Sequence, residues 1–136
     1  MRIEELSVND WVAIDGKPIQ ISSVYATPLG GVVKYDHHNL SVFIEVIEPI
    51  PLTDEILEKN GWVLDKSSRW HICEITFDTR VNVWIGGTNQ CRVEISTRTD
   101  ELDWYFCYAD FKLINPAVHQ LQHALRLAGI EKEIEL

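Results

Sequence analysis

Two histidines, His119 and His123, stand four residues apart in the run His119-Gln120-Leu121-Gln122-His123. That spacing puts both imidazoles on one face of a helix, where a pair of ring nitrogens can bind a transition metal. A metalloprotease further needs a glutamate beside the first histidine as general base, and Gln120, which takes no proton, stands there instead. The commoner role is packing, with His119 against a sheet and His123 in water. His37 and His38 are adjacent and flanked by Asp36 and Asn39. Such a loop can ligate zinc or nickel with a carboxylate, but is more often simply solvated. His71 and Cys73, two apart in a strand-like run, face one side of a sheet, and Cys91 or Cys107 would add a third ligand if the strands were neighbours. A metal-dependent enzyme would need His71, Cys73, His119 or His123 to converge. No metal or cofactor is assigned on these residues.

Nucleophilic catalysis asks for a Cys or Ser beside an oriented His. Cys73, Cys91 and Cys107 all lie in apolar runs that disfavour a thiolate, and neither a Gly-x-Ser-x-Gly elbow nor a phosphate loop is present. Three cysteines, widely spaced and with no CxxC pair, form neither a disulfide framework nor a zinc ribbon. Asp100-Glu101-Leu102-Asp103 reads as a solvated loop. The expectation is a non-enzymatic chain. Its aromatic content is the remaining signal: five tryptophans, most of them core at their spacings. Trp84 and Tyr105, if outward, would anchor a protein partner, because Trp and Tyr dominate interface hot spots. The candidate partner-binding residues are therefore Trp84, Tyr105, His119, Gln120 and His123.

A net charge of −9 over 136 residues bounds the partner. Residues 1–52 hold seven acids against three bases, and residues 53–136 fourteen against nine, so both parts are acidic. A duplex binder neutralises phosphates with Lys and Arg, which makes nucleic acid an unfavoured partner. Two alternatives keep it in view: a nucleic-acid-binding module, and an acidic DNA mimic whose carboxylates are spaced like phosphates on one face. No apolar run approaches the ~20 residues of a membrane span, so no membrane partner is expected. Met1-Arg2-Ile3-Glu4-Glu5 carries acids where a signal peptide has an apolar core, which points to the cytoplasm.

The elements that would position these residues divide at Pro49-Ile50-Pro51, where two prolines forbid a continuous helix. Ahead of it the segments Asn9–Ile14, Ile19–Tyr25, Val32–Tyr35 and Ser41–Val46 read as short strands, joined at Asp15-Gly16 and at Pro28 to Gly31 by tight turns. They suggest a small SH3-like β subdomain over residues 1–52. Residues 53–136 follow as helix, antiparallel sheet and C-terminal helix. Thr53 offers an N-cap and Gly61 a stop to a helix at about 53–60. Strand candidates lie at Trp62–Leu64, Trp70–Phe77, Val81–Ile85, Cys91–Thr97 and Trp104–Tyr108, with a turn at Gly86-Gly87. A last helix has Asn115 as N-cap, Pro116 first, Gly129 as stop and a stripe of Val118, Leu121, Ala124 or Leu125, and Ala128 expected on the sheet. His119, Gln122, His123 and Arg126 are expected on its other side, and Glu131–Leu136 as a short edge strand.

Asn9-Asp10-Trp11-Val12 with Gly16-Lys17-Pro18, then Pro49-Ile50-Pro51-Leu52-Thr53 through Asn60-Gly61-Trp62, then Val118-His119-Gln120-Leu121-Gln122 with Ala124-Leu125 and Gly129, follow one order. In that order the chain resembles a family of small proteins encoded by gut anaerobic bacteria and their prophages. Ala117 departs from the aromatic residue that family tends to carry, and Ile130-Glu131-Lys132-Glu133 departs from its usual Gly-Glu-Glu-Leu ending. The resemblance implies a shared fold and a phage or mobile-element setting, with no activity attached. The expected molecule is an α+β accessory or interaction protein with an unidentified protein partner and a capacity to self-associate.

Overall fold

A computed structural model describes residues 1–87, 89–98 and 106–136. The chain is α+β, built mostly of antiparallel sheet with a C-terminal helix. It divides into two compact units, Met1–Pro51 with Ala117–His119, and Leu52–Pro116 with Gln120–Leu136.

The first unit is a four-stranded antiparallel meander of β1 (Trp11–Ile14), β2 (Lys17–Thr27), β3 (Gly30–Tyr35) and β4 (Leu40–Phe43). Asp15 and Gly16 both have positive φ, at 49° and 75°, the two-residue turn whose twist matches the strands it joins. Strand four is shorter than its apolar run suggests. Ile44–Val46 turns as a 3-10 helix, which drops Ile44 and Ile47 into the core and lets Glu48 return to β1. There Ala13 N donates to Glu48 O at 2.8 Å and Glu48 N to Ala13 O at 2.9 Å, so β1 is paired on both sides and the sheet curls into a half-barrel. Leu6, Val12, Ile21, Val33, Ile44 and Ile47 form its core. Leu6 arrives there from a 3-10 turn at Ile3–Glu5.

The second unit begins with α1 (Asp54–Lys59), capped by Thr53, whose hydroxyl accepts from Ile56 N. Gly61 takes the left-handed conformation at φ 95° and ends it. A five-stranded antiparallel meander follows: β5 (Val63–Leu64), β6 (His71–Glu74), β7 (Thr79–Ile85), β8 (Gln90–Thr97) and β9 (Phe106–Ile114). Strand-like sequence from Trp70 to Phe77 yields only a four-residue strand, because the backbone bends at 75–78, where Ile75 N and Thr76 N both donate to Thr79 O. Register sets Val81 opposite Ile95 and Val83 opposite Val93, and all four are buried. The alternation read from the sequence is therefore one inner face and one wetter face. The proposed strand at Trp104–Tyr108 lies partly outside the described residues; its remainder belongs to β9.

Three local expectations fail for tertiary reasons. Asn115 is left-handed, at φ 49°, and Ala117 pairs with Pro51, so the last helix, α2 (Val118–Leu127), starts later than its Asn-Pro signal. Val118 N donates to Ile50 O at 2.9 Å, which satisfies an amide that an N-cap side chain would otherwise take. His119 is buried, as its packing role expects; Gln122, expected on the other side from the apolar stripe, is buried too, while Arg126 is exposed. Glu131–Leu136 forms no strand; Ile130 and Ile134 are buried, and the backbone of Glu135 is held by the Asn60 side chain.

Candidate binding cleft

The first unit carries a cleft of about 480 Å³ between its entry turn, the start of β1, the first half of β2 and the turn after β3. The entry turn is locked from within. Ser7 N donates to Asp10 Oδ2 at 2.7 Å, and Asp10 N to Ser7 O at 3.2 Å, so a fully buried carboxylate fixes the loop. Asn9, at φ 71°, adopts the left-handed conformation that asparagine tolerates best among side-chain-bearing residues. Its N–H donates to Ile21 O at 2.8 Å, and its carbonyl accepts from Gln20 Nε2 at 3.1 Å. Trp11 is thereby held at the mouth of the half-barrel, opposite Gln20.

The opposite rim is conformationally costly. Asp36, His37 and His38 have φ of 52°, 53° and 70°, three consecutive left-handed residues that carry side chains. Each such residue costs on the order of 1–2 kcal/mol. Two bonds hold the turn: Asn39 N donates to Asp36 O at 3.0 Å, and His38 N to Ser22 Oγ at 3.3 Å. Ser22 sits where the β2–β3 register slips between Ile21 and Ser23, so a bulge presents the hydroxyl. Bulges and strained turns recur at binding surfaces because they re-aim side chains that a regular ladder would fix.

The cleft's walls are two aromatic rings, Trp11 and Tyr35, both half-buried, with Pro18 and the exposed imidazoles of His37 and His38 at its edges. Among the described residues Asp36 is its one lining carboxylate. Such a surface offers flat apolar contact, a few polar atoms and negative charge. The Ser22 hydroxyl is engaged with backbone, and no cysteine lines the cleft, so it shows no nucleophile poised against a base.

The residues singled out from the sequence lie elsewhere. On α2 His119 is buried, while Gln120 and His123 are half-buried. Trp84 is half-buried on β7 and folds over Gly86: a Cβ there would lie 2.5 Å from the indole. Tyr105 lies outside the described residues. His71 and Cys73 do share one buried face of β6, as their spacing predicts. Cys91 is opposite Ile85, on the far side of β7, and Cys107 is exposed and opposite Ser96, so the thiols do not converge with His71. Burial pushes the Cys91 thiol up to about 11 and raises Cys73, where Lys132 partly offsets it. Cys107 is raised by burial and by the Glu94 carboxylate. None is poised as a nucleophile. His71 Nε2 stands 3.9 Å from both Asp54 Oδ1 and Glu58 Oε1, with neither ring nitrogen hydrogen-bonded. Among the described residues no group of three or more His, Cys, Asp or Glu has metal-holding geometry.

Sequence reasoning missed Trp11 and Tyr35. Trp11 counts as core in a strand pattern, and nothing in spacing ties it to a turn beyond β3. The available signal was the polar run Asp36 to Asn39 directly after a strand tyrosine. No family model, curated protein or solved structure matches this chain.

Proposed function

We propose that residues 1–51 act as an SH3-like binding module that holds an extended segment of a partner protein in the Trp11–Tyr35 cleft, within a non-enzymatic accessory protein of phage or mobile-element origin. The observation that carries this reading is the aromatic cleft framed by three consecutive left-handed residues. Two further features support it. The 3-10 turn lets Glu48 return to β1 and curls the sheet into a half-barrel, and SH3 domains use aromatic-lined grooves to take Pro-rich segments already extended as polyproline helices. Asp36 at the rim and the net charge of −9 favour a segment with Lys or Arg beside its prolines.

The test is selection from a displayed peptide library on the full chain, with Trp11→Ala and Asp36→Lys as counter-targets. The reading expects enriched sequences that combine proline with basic residues, lose binding to Trp11→Ala and weaken on Asp36→Lys. Asp36 is exposed, so its variant reports binding even where Trp11→Ala loosens the half-barrel. Enrichment indifferent to both changes, or none, overturns it.

A further inference from the structure

The outer face of the second sheet carries an electrostatic mismatch along its last strand. In the β8–β9 ladder Arg92 lies directly opposite Lys112, and Glu94 directly opposite Asp110. Like charges in directly opposed positions are unfavourable. The chain relieves one half of this by itself. Arg92 Nη2 reaches Asp110 Oδ2 at 2.7 Å and Glu94 Oε1 at 3.4 Å, taking both carboxylates. Lys112 stays exposed beside Arg92, with no ion pair among the described residues. β9 is the sheet's terminal strand, and no described strand pairs with its far edge.

We propose that β9 pairs antiparallel with β9 of a second copy of this chain, centred on Phe111. That register sets Lys112 opposite Asp110 of the second copy and Asp110 opposite its Lys112, so each mismatched row gains the sign it lacks. At the end of the paired segment the bulged Tyr108, 51% exposed, comes next to Ile114 of the second copy, 73% exposed, and the two-fold repeats this apolar contact at the other end. Neighbouring registers are penalised. A shift of two residues one way puts Asp110 against Asp110, and two the other way puts Lys112 against Lys112. A one-residue shift opposes the two faces. The register slips between Ile95, opposite Ala109, and Ser96, opposite Cys107, so Tyr108 is the extra residue of a bulge and the regular pairing segment runs from Ala109 to Ile114. Charges on an edge strand ordinarily block pairing; here their order makes the edge complementary to itself and to little else. The surface lies wholly in the second unit and does not depend on the peptide-binding reading.

Sedimentation equilibrium of the full chain tests this with two charge reversals. Wild type is expected to be a dimer at low salt, with dissociation that rises with ionic strength. Lys112→Asp faces acid against acid, and Asp110→Lys faces base against base, so each alone is expected to dissociate about tenfold or more readily. Mixed together, the two variants restore both opposite-charge rows and are expected to form a one-to-one heterodimer. That rescue also shows that neither variant has misfolded. A monomeric wild type, a dimer indifferent to both reversals, or a mixture that fails to associate overturns the proposal.

Discussion

Asn60 and Glu135 join the end of α1 to the last residues of the chain through two bonds: Asn60 Nδ2 donates to Glu135 O at 2.8 Å, and Glu135 N donates to Asn60 Oδ1 at 2.7 Å. The same amide nitrogen also donates to Ile56 O at 2.8 Å, so one buried side chain ends the helix and fixes the tail. Ile130 and Ile134 are held down with it. Asn60→Ala leaves part-buried backbone groups without their partner, at a cost of roughly 1 kcal/mol or more. Urea unfolding should show that loss, and hydrogen exchange should show the Glu135 amide losing protection first. An unchanged Glu135 exchange rate would mean that the tail is held by its isoleucines alone.

His71 makes the opposite kind of contribution. Its side chain is 4% exposed and neither nitrogen is hydrogen-bonded, while Asp54 and Glu58 stand at 3.9 Å with their carboxylates largely in water. A buried polar group without a partner costs about 1–3 kcal/mol, and an apolar side chain of similar size removes that cost. His71→Leu should therefore hold or raise the urea midpoint at neutral pH. A fall in the midpoint would show that the two carboxylates hold the imidazole more firmly than their distances indicate.

Cys91 gives the chain an alkaline limit. Burial raises its thiol from an ordinary value of 9.0 to about 11. Below pH 9 the thiol keeps its proton in both states, and its contribution is complete. Between pH 9 and 11 the unfolded chain releases the proton while the folded chain keeps it, so stability falls as pH rises. The loss is on the order of 2–3 kcal/mol across that window. Cys91→Ala should start less stable, because it opens a small cavity, and should lose less between pH 9 and 11 than wild type does. Parallel slopes for the two proteins would contradict this assignment.

What was legible in the sequence is what local chemistry fixes. Asp15-Gly16 fills two positive-φ positions, Thr53 caps α1, Gly61 and Gly129 stop helices, and Val81, Val83, Val93 and Ile95 alternate as a sheet with one buried face does. The failures share one cause, a partner far along the chain. Asn115-Pro116 is a sound helix start until Ala117 pairs with Pro51. Ser41–Val46 is a sound strand until Glu48 must return to Ala13. Gln122 occupies the polar arc of α2, yet is buried, and helical periodicity reports only the apolar stripe. The cleft was hidden for the same reason. Trp11 and Tyr35 line one cleft only because β2 pairs with both their strands, and the strain at Asp36, His37 and His38 is a backbone property that composition does not carry.

The most direct test of the cleft as the binding site is a titration of a selected proline- and lysine-containing peptide into the isotopically labelled full chain, followed by backbone amide shifts. The account predicts saturable changes concentrated at residues 8–11, 18–22 and 35–38, with the Trp11 indole N–H among the largest. Changes centred on β7 and β8, around Trp84, with those three segments silent, would contradict it.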